Sequence, residues 1–222
     1  MAQDNIPGTA ARTDRLIHSL AREAGLARSD RSPRVFGRWL ALGVALTLIT
    51  ALMLVAGLSE VRADLARIVT TWTFQFKIVA MALLAGAGVV LVRSAGVPGA
   101  TLRSLWALAP GVLFVLAGVV GDDSGFPIGG RRPASVLVCV GIIVTAALPG
   151  LCFLLACLRR GIPTRLSYSG AVAGLLSGSL AALAYTIACT NDGAMFVALW
   201  YVAGILLTAG IGAVAGRYVL AW

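Results

Sequence analysis

The residues best suited to chemistry in this chain of 222 are its four cysteines, Cys139, Cys152, Cys157 and Cys189. A thiol can pair by oxidation or simply fill a small apolar gap. No CxxC occurs, and four cysteines admit three pairings. Cys139 and Cys189 fall at matching ends of two consecutive apolar segments, and Cys152 and Cys157 fall at the opposite end of the first. A disulfide between Cys139 and Cys189 requires an oxidising compartment and Cα atoms within about 7 Å. Burial as two small hydrophobes in helix contacts accounts for the same positions, and the sequence leaves both readings open. Cys152 and Cys157 read as packing residues. The single histidine, His18, has no cysteine or carboxylate cluster beside it, so neither a metal site nor a Ser/His/Asp arrangement is built around it. No catalytic residue, metal site or cofactor is expected.

The elements that position these residues follow from composition. Hydrophobic residues make up 59% of the chain and charged residues 12%, against roughly a quarter charged in a soluble domain. So little charge does not coat a water-facing surface, and lipid must be the solvent for most of the chain. A helix needs about 20 apolar residues to cross about 30 Å of hydrocarbon. Apolar stretches at about 39–58, 74–92, 105–120, 135–158, 168–188 and 194–220 predict an all-α polytopic membrane protein with six transmembrane helices. Thirteen of the eighteen Lys and Arg lie on the N-terminal segment or at the span ends on its side, which places both termini in the cytoplasm. The net charge of +9 reads as this bias, so no direct nucleic-acid contact is expected. Lys77 alone falls inside a span, close enough to its end to snorkel. The lack of other ionisable groups there argues against proton- or ion-coupled transport.

Gly170, Gly174 and Gly178 recur every fourth residue in the fifth span, and Gly212 and Gly216 repeat the spacing in the sixth. Small residues at this interval let transmembrane helices approach closely. They serve either packing within one bundle or a homo-oligomer face.

Residues 1–38 form a segment of different character ahead of the membrane domain at 39–222. A short amphipathic helix is expected at about 13–25, with Thr13 as N-cap and Asp14 in the first turn, where the helix dipole favours an anion. Leu16, Ile17 and Leu20 share one face. Gly25 stands where a glycine cap ends a helix, with Leu26 closing back on Leu20. A basic linker containing Pro33 follows. A helix this short is marginal alone in water, so a partner or the membrane surface must support it.

The stretch from Cys189 to Tyr201, reading CTNDGAMFVALWY, resembles the C-terminal signature of NrsF-type membrane anti-sigma factors. In that family a cysteine and a short acidic loop precede an aromatic-ended run that opens the last helix. The closing Gly212 to Trp222 stretch fits the same pattern, as do Leu158-Arg159-Arg160-Gly161 before Pro163-Thr164, the glycine rows, Pro98-Gly99 and the opening Thr13 to Leu20. Thr190 and Asn191 stand where the family usually has a proline. The resemblance spans nearly the whole chain. It implies a multi-pass protein of the bacterial inner membrane that negatively regulates an extracytoplasmic-function sigma factor. The family's short N-terminus holds the sigma factor, which here points to Asp14, Leu16, Ile17 and Leu20. The family's cysteine pair is matched by Cys139 and Cys189, with a role in response to envelope stress at the periplasmic face. Two rival functions rest on less. A membrane thiol oxidoreductase rests on the cysteine pair alone, and a small transporter rests on the six spans alone.

Overall fold

The computed structural model describes residues 12–20, 33–96, 102–122, 125–131, 134–161 and 163–221. All the regular structure in them is helical. Residues 12–20 form α1. There follow α2 (Pro33–Leu58), a single turn α3 (Leu65–Ile68), α4 (Trp72–Ala95), a 3₁₀ segment (Leu102–Leu108) and α5 (Ala109–Val120). Next come α6 (Ser135–Arg159) and α7 (Leu166–Tyr185). The last passage is continuous: α8 (Ala194–Phe196) leads through a π-helical turn (Val197–Tyr201) into α9 (Val202–Val219).

Five helices are long and apolar enough to cross a membrane: Arg34–Leu58, Trp72–Ala95, Ser135–Arg159, Leu166–Tyr185 and Ala194–Val219. The stretch at 105–120 differs from the sequence expectation. Its apolar helix is shorter, and its first part winds as 3₁₀ before Pro110 opens α5. Proline suits the first turn, where its missing N–H has no partner to lose. The continuous apolar helix here is Ser104–Val120, shorter than the five above.

α7 is the axis of the bundle. It buries 67% of its apolar stretch, against 28% to 50% for the other four, and packs on α2, α4, α6 and α9. Its glycines set the closest approach. A Cβ on Gly170 would stand 2.8 Å from Gly216 Cα, and one on Gly174 would stand 2.7 Å from Ala209 Cα. From the other side, a Cβ on Gly212 would meet Gly174 Cα at 3.1 Å. A Cβ on Gly178 would stand 3.1 Å from Ile205 Cα. The two glycine rows therefore face each other across the α7–α9 seam within one chain.

The interior divides into two apolar clusters, one at each end. Leu40, Leu91, Leu154, Leu158, Leu176 and Leu220 build one. Phe76, Met81, Ile143, Phe196 and Tyr201 build the other, together with Cys139 and Cys189. Large apolar side chains such as Ile49, Met53, Leu206, Leu207 and Val214 point outward, as a lipid-facing belt requires. Of the two packing cysteines, Cys157 is buried and donates to Trp39 O at 3.3 Å. Cys152 is exposed on the outer surface of α6 and is not a core residue. The Gly25 cap, Leu26, residues 28–32 of the basic linker, Pro98-Gly99 and Trp222 lie outside the described residues, and the rest of the linker, from Pro33, is the first turns of α2.

Candidate functional site

Two regions hold the residues singled out in the sequence, and they differ in kind. At one end of the bundle, α6 places Cys139 one turn in from Ser135, and α7 ends at Tyr185, four residues before Cys189. The two cysteines are buried in the same core cluster. Both are free thiols, so the disulfide considered above is not formed here.

Lys77 does not snorkel. Its side chain is fully buried, and its Nζ donates to Asp192 Oδ1 at 2.8 Å and to the Cys189 carbonyl at 3.2 Å. Arg62 reaches the same two acceptors from the loop between α2 and α3. Its Nη1 lies 2.8 Å from Asp192 Oδ2 and 2.9 Å from Cys189 O. The outer edge of that guanidinium holds Asp64, with Nε 2.9 Å from Oδ1. An ammonium buried without partners would be far too costly in an apolar interior. Here the charge is matched by one carboxylate and one carbonyl. Asp192 is thus the hub that ties the loop after α7 to the loop after α2 and to α4. In the sequence Asp192 stands only as part of a short acidic loop. The usable signal was a lysine in an apolar span and an aspartate in a short loop at the same end.

The surrounding chain pins this loop from outside. The Arg62 N–H donates to Ile187 O at 3.1 Å. The Arg131 N–H donates to Asn191 Oδ1 at 3.1 Å, and the Met195 N–H donates to Asp122 Oδ2 at 2.9 Å. Trp200 Nε1 donates to Ile128 O at 2.8 Å. Gly130 makes the fold-over possible: it sits at φ +82°, a backbone region that favours glycine, against Ser135 and Phe196. Burial opposes the charge on Arg62, but hydrogen bonds from its guanidinium to Asp64 and Asp192 outweigh it and hold the pKa above its ordinary value. The same contact with Arg62 lowers Asp64 below the ordinary carboxylate value. Cys189 is lowered as well. The hydrogen bond with Cys139 contributes most, burial opposes it, and the charge of Lys77 and the nearby Tyr201 hydroxyl add to the lowering.

The second region is α1. The helix already includes Arg12, so Thr13 lies within it rather than at its N-cap. Asp14 is exposed. Leu16, Ile17 and Leu20 are 60%, 56% and 55% exposed. They form a short apolar face that the described part of the bundle leaves uncovered.

Residues 20–222 match a protein family described as NrsF, negative regulator of sigma F. Among curated proteins, the chain is 34% identical over 218 residues to the anti-sigma-F factor NrsF of Caulobacter vibrioides, covering 95% of this chain and all of that one. It is 28% identical over 222 residues to a probable anti-sigma-F factor NrsF of Azospira oryzae, with the same coverage. No solved structure matches. An anti-sigma factor is a regulator and not an enzyme, which removes the thiol oxidoreductase reading. Five membrane-length apolar helices around a glycine seam, with a family match that takes in all of them, lead to one assignment: this chain is a membrane-embedded member of the NrsF family of negative regulators of sigma F.

Proposed function

We propose that this chain sequesters an extracytoplasmic-function sigma factor at the bacterial inner membrane. It crosses the bilayer six times, with the segment at 105–120 as the third crossing and both termini in the cytoplasm. Residues 1–38 are the docking arm, and Asp14, Leu16, Ile17 and Leu20 are its contacts. The observation that supports this is the apolar face of α1, more than half exposed at each of its three large residues, in a chain of this family. Amphipathic helices bind partner grooves through anchors at such spacing. A sigma factor held this way is kept from core polymerase by location and by a covered surface, with no contact between the regulator and DNA.

Cys139 and Cys189 are the sensing pair in this account. Envelope stress that oxidises them loosens the arm and frees the sigma factor. A coupling of about 1–3 kcal/mol changes affinity roughly 5- to 150-fold, enough for such a small interface. The test is a transcription reporter for the partner sigma factor. Replacing Leu16 and Leu20 by Asp should raise its output to that of a strain lacking the chain. Unchanged repression would rule out the α1 contact. Replacing Cys139 and Cys189 by Ser should leave repression intact and abolish its relief by oxidants.

A further inference from the structure

We infer that Cys189 is the thiol that reacts first with an oxidant, and that Lys77 and Tyr201 are the residues that position and stabilise its sulfur as the thiolate. The inference rests on the reading of Cys139 and Cys189 as the responsive pair, and it assigns them different roles. Two observations carry it. Lys77 Nζ is fully buried and lies 3.2 Å from the carbonyl of Cys189 itself. Its only carboxylate partner among the described residues is Asp192, which Arg62 also engages. Arg62 is also held by Asp64, and Lys77 Nζ uses two of its three N–H bonds, on Asp192 Oδ1 and Cys189 O, which leaves one for a further anion beside it. The second observation is Tyr201. Its hydroxyl is completely buried and has no nitrogen or oxygen partner, which leaves the Cys189 sulfur as the group it faces. Buried hydroxyls rarely go unsatisfied. The Cys189 sulfur is the acceptor open to it, and a thiolate accepts more strongly than a thiol.

The charged and titratable groups around Cys189 are Arg62 in the loop between α2 and α3, Lys77 on α4, Cys139 on α6, Tyr185 on α7, Asp192 in its own loop and Tyr201 in the π-helical turn. Both positive groups contact the Cys189 backbone. Cys139 is the free thiol of the same buried cluster that can complete a disulfide.

The two sulfurs are almost wholly shielded, so the oxidant is small and uncharged, and a hydroperoxide fits. The Cys189 thiolate attacks one peroxide oxygen. An S–O bond forms, the O–O bond breaks, and the departing oxygen takes a proton as water or alcohol. The Cys139 sulfur then attacks the sulfenic sulfur. The S–S bond forms as the S–O bond breaks, and hydroxide leaves as water with the Cys139 proton. Two electrons pass from the thiol pair to the peroxide.

The test uses the full chain in nanodiscs, with Cys152 and Cys157 replaced by Ser. Hydrogen peroxide and a 1,3-dione trap for sulfenic acid are followed by mass mapping, and iodoacetamide labelling is followed against pH. The expected result is trapped sulfenic acid on Cys189 in Cys139→Ser and none on Cys139 in Cys189→Ser. Tyr201→Phe removes a hydroxyl with no partner other than the Cys189 sulfur, so a purely structural role predicts no change in labelling against pH. The inference predicts instead slower Cys189 labelling at neutral pH and a labelling midpoint moved upward. Lys77→Met leaves Asp192 paired with Arg62 and should act in the same direction more strongly, by about tenfold for each unit of thiolate pKa lost. Sulfenic acid on Cys139 first, or a Tyr201→Phe profile identical to wild type, would overturn the inference. A reporter that ignores Cys189→Ser while Cys189 still labels first would remove the sensing role and leave this assignment of the reactive thiol in place.

Discussion

The cysteine end of the bundle and the N-terminal helix are built on opposite principles. At the cysteine end, three charged side chains, two thiols and two tyrosines are packed into an interior almost without water, and each charge has a partner. In α1, three large apolar side chains stand in the open, and the helix has no core of its own. The first region holds polar groups where lipid-level burial makes them costly. The second holds apolar groups where water makes them costly. Each is the unfavourable choice for stability, and each is where the family's regulatory work is proposed to occur. The difference predicts that substitutions at the cysteine end change folding, while substitutions in α1 change only what the chain binds.

The largest effect should come from Asp192→Asn. It leaves Lys77 and Arg62 without their shared carboxylate, and removing one partner from a buried ion pair costs about 3–5 kcal/mol. Thermal unfolding in detergent would measure it, and Lys77→Met, which leaves no unpaired charge, should cost less. An Asp192→Asn protein as stable as wild type would mean that the buried network contributes nothing. Next is the α7–α9 seam, where Gly174→Leu drives a side chain toward the Ala209 backbone. Overpacking of this kind costs about 1–3 kcal/mol, and the same assay should show it. A milder loss at Gly210, whose Cβ would meet nothing within 4 Å, serves as the control.

The spans and the glycine seam were legible because their signals are local. A run of apolar residues or a glycine every fourth position needs no knowledge of what lies opposite. The Lys77–Asp192 pair joins residues 115 apart in sequence, and nothing near Lys77 announces its partner. Counting from the span end therefore suggested snorkelling, when the helix actually turns that side chain inward. The stretch at 105–120 carries the hydropathy of a span, and hydropathy does not register that its helix opens as 3₁₀ before Pro110. The setting of the buried Tyr201 hydroxyl depends on the geometry of four helices at once and leaves no trace in the order of residues.

A smaller effect is expected at Asp64. Its carboxylate is exposed and held below its ordinary pKa by the Arg62 guanidinium. Its contribution is present above the ordinary carboxylate range and is lost as pH falls through the lowered value. Asp64→Asn should therefore be slightly less stable than wild type at neutral pH, and the gap should close in acid. The gap would be read from paired unfolding curves across pH. A gap that widens in acid would contradict the assignment of the pair. Least of all for stability, the Leu16→Asp and Leu20→Asp changes should each stay within about 0.5 kcal/mol of wild type, as exposed positions do.

The most direct test of the docking arm is where the sigma factor resides. With the full chain in the membrane, separation of membrane and soluble fractions should find the sigma factor with the membrane. With Leu16→Asp and Leu20→Asp together, in a protein shown by its unfolding curve to be intact, the sigma factor should move to the soluble fraction. A sigma factor that stays at the membrane with the doubly substituted chain would contradict the account.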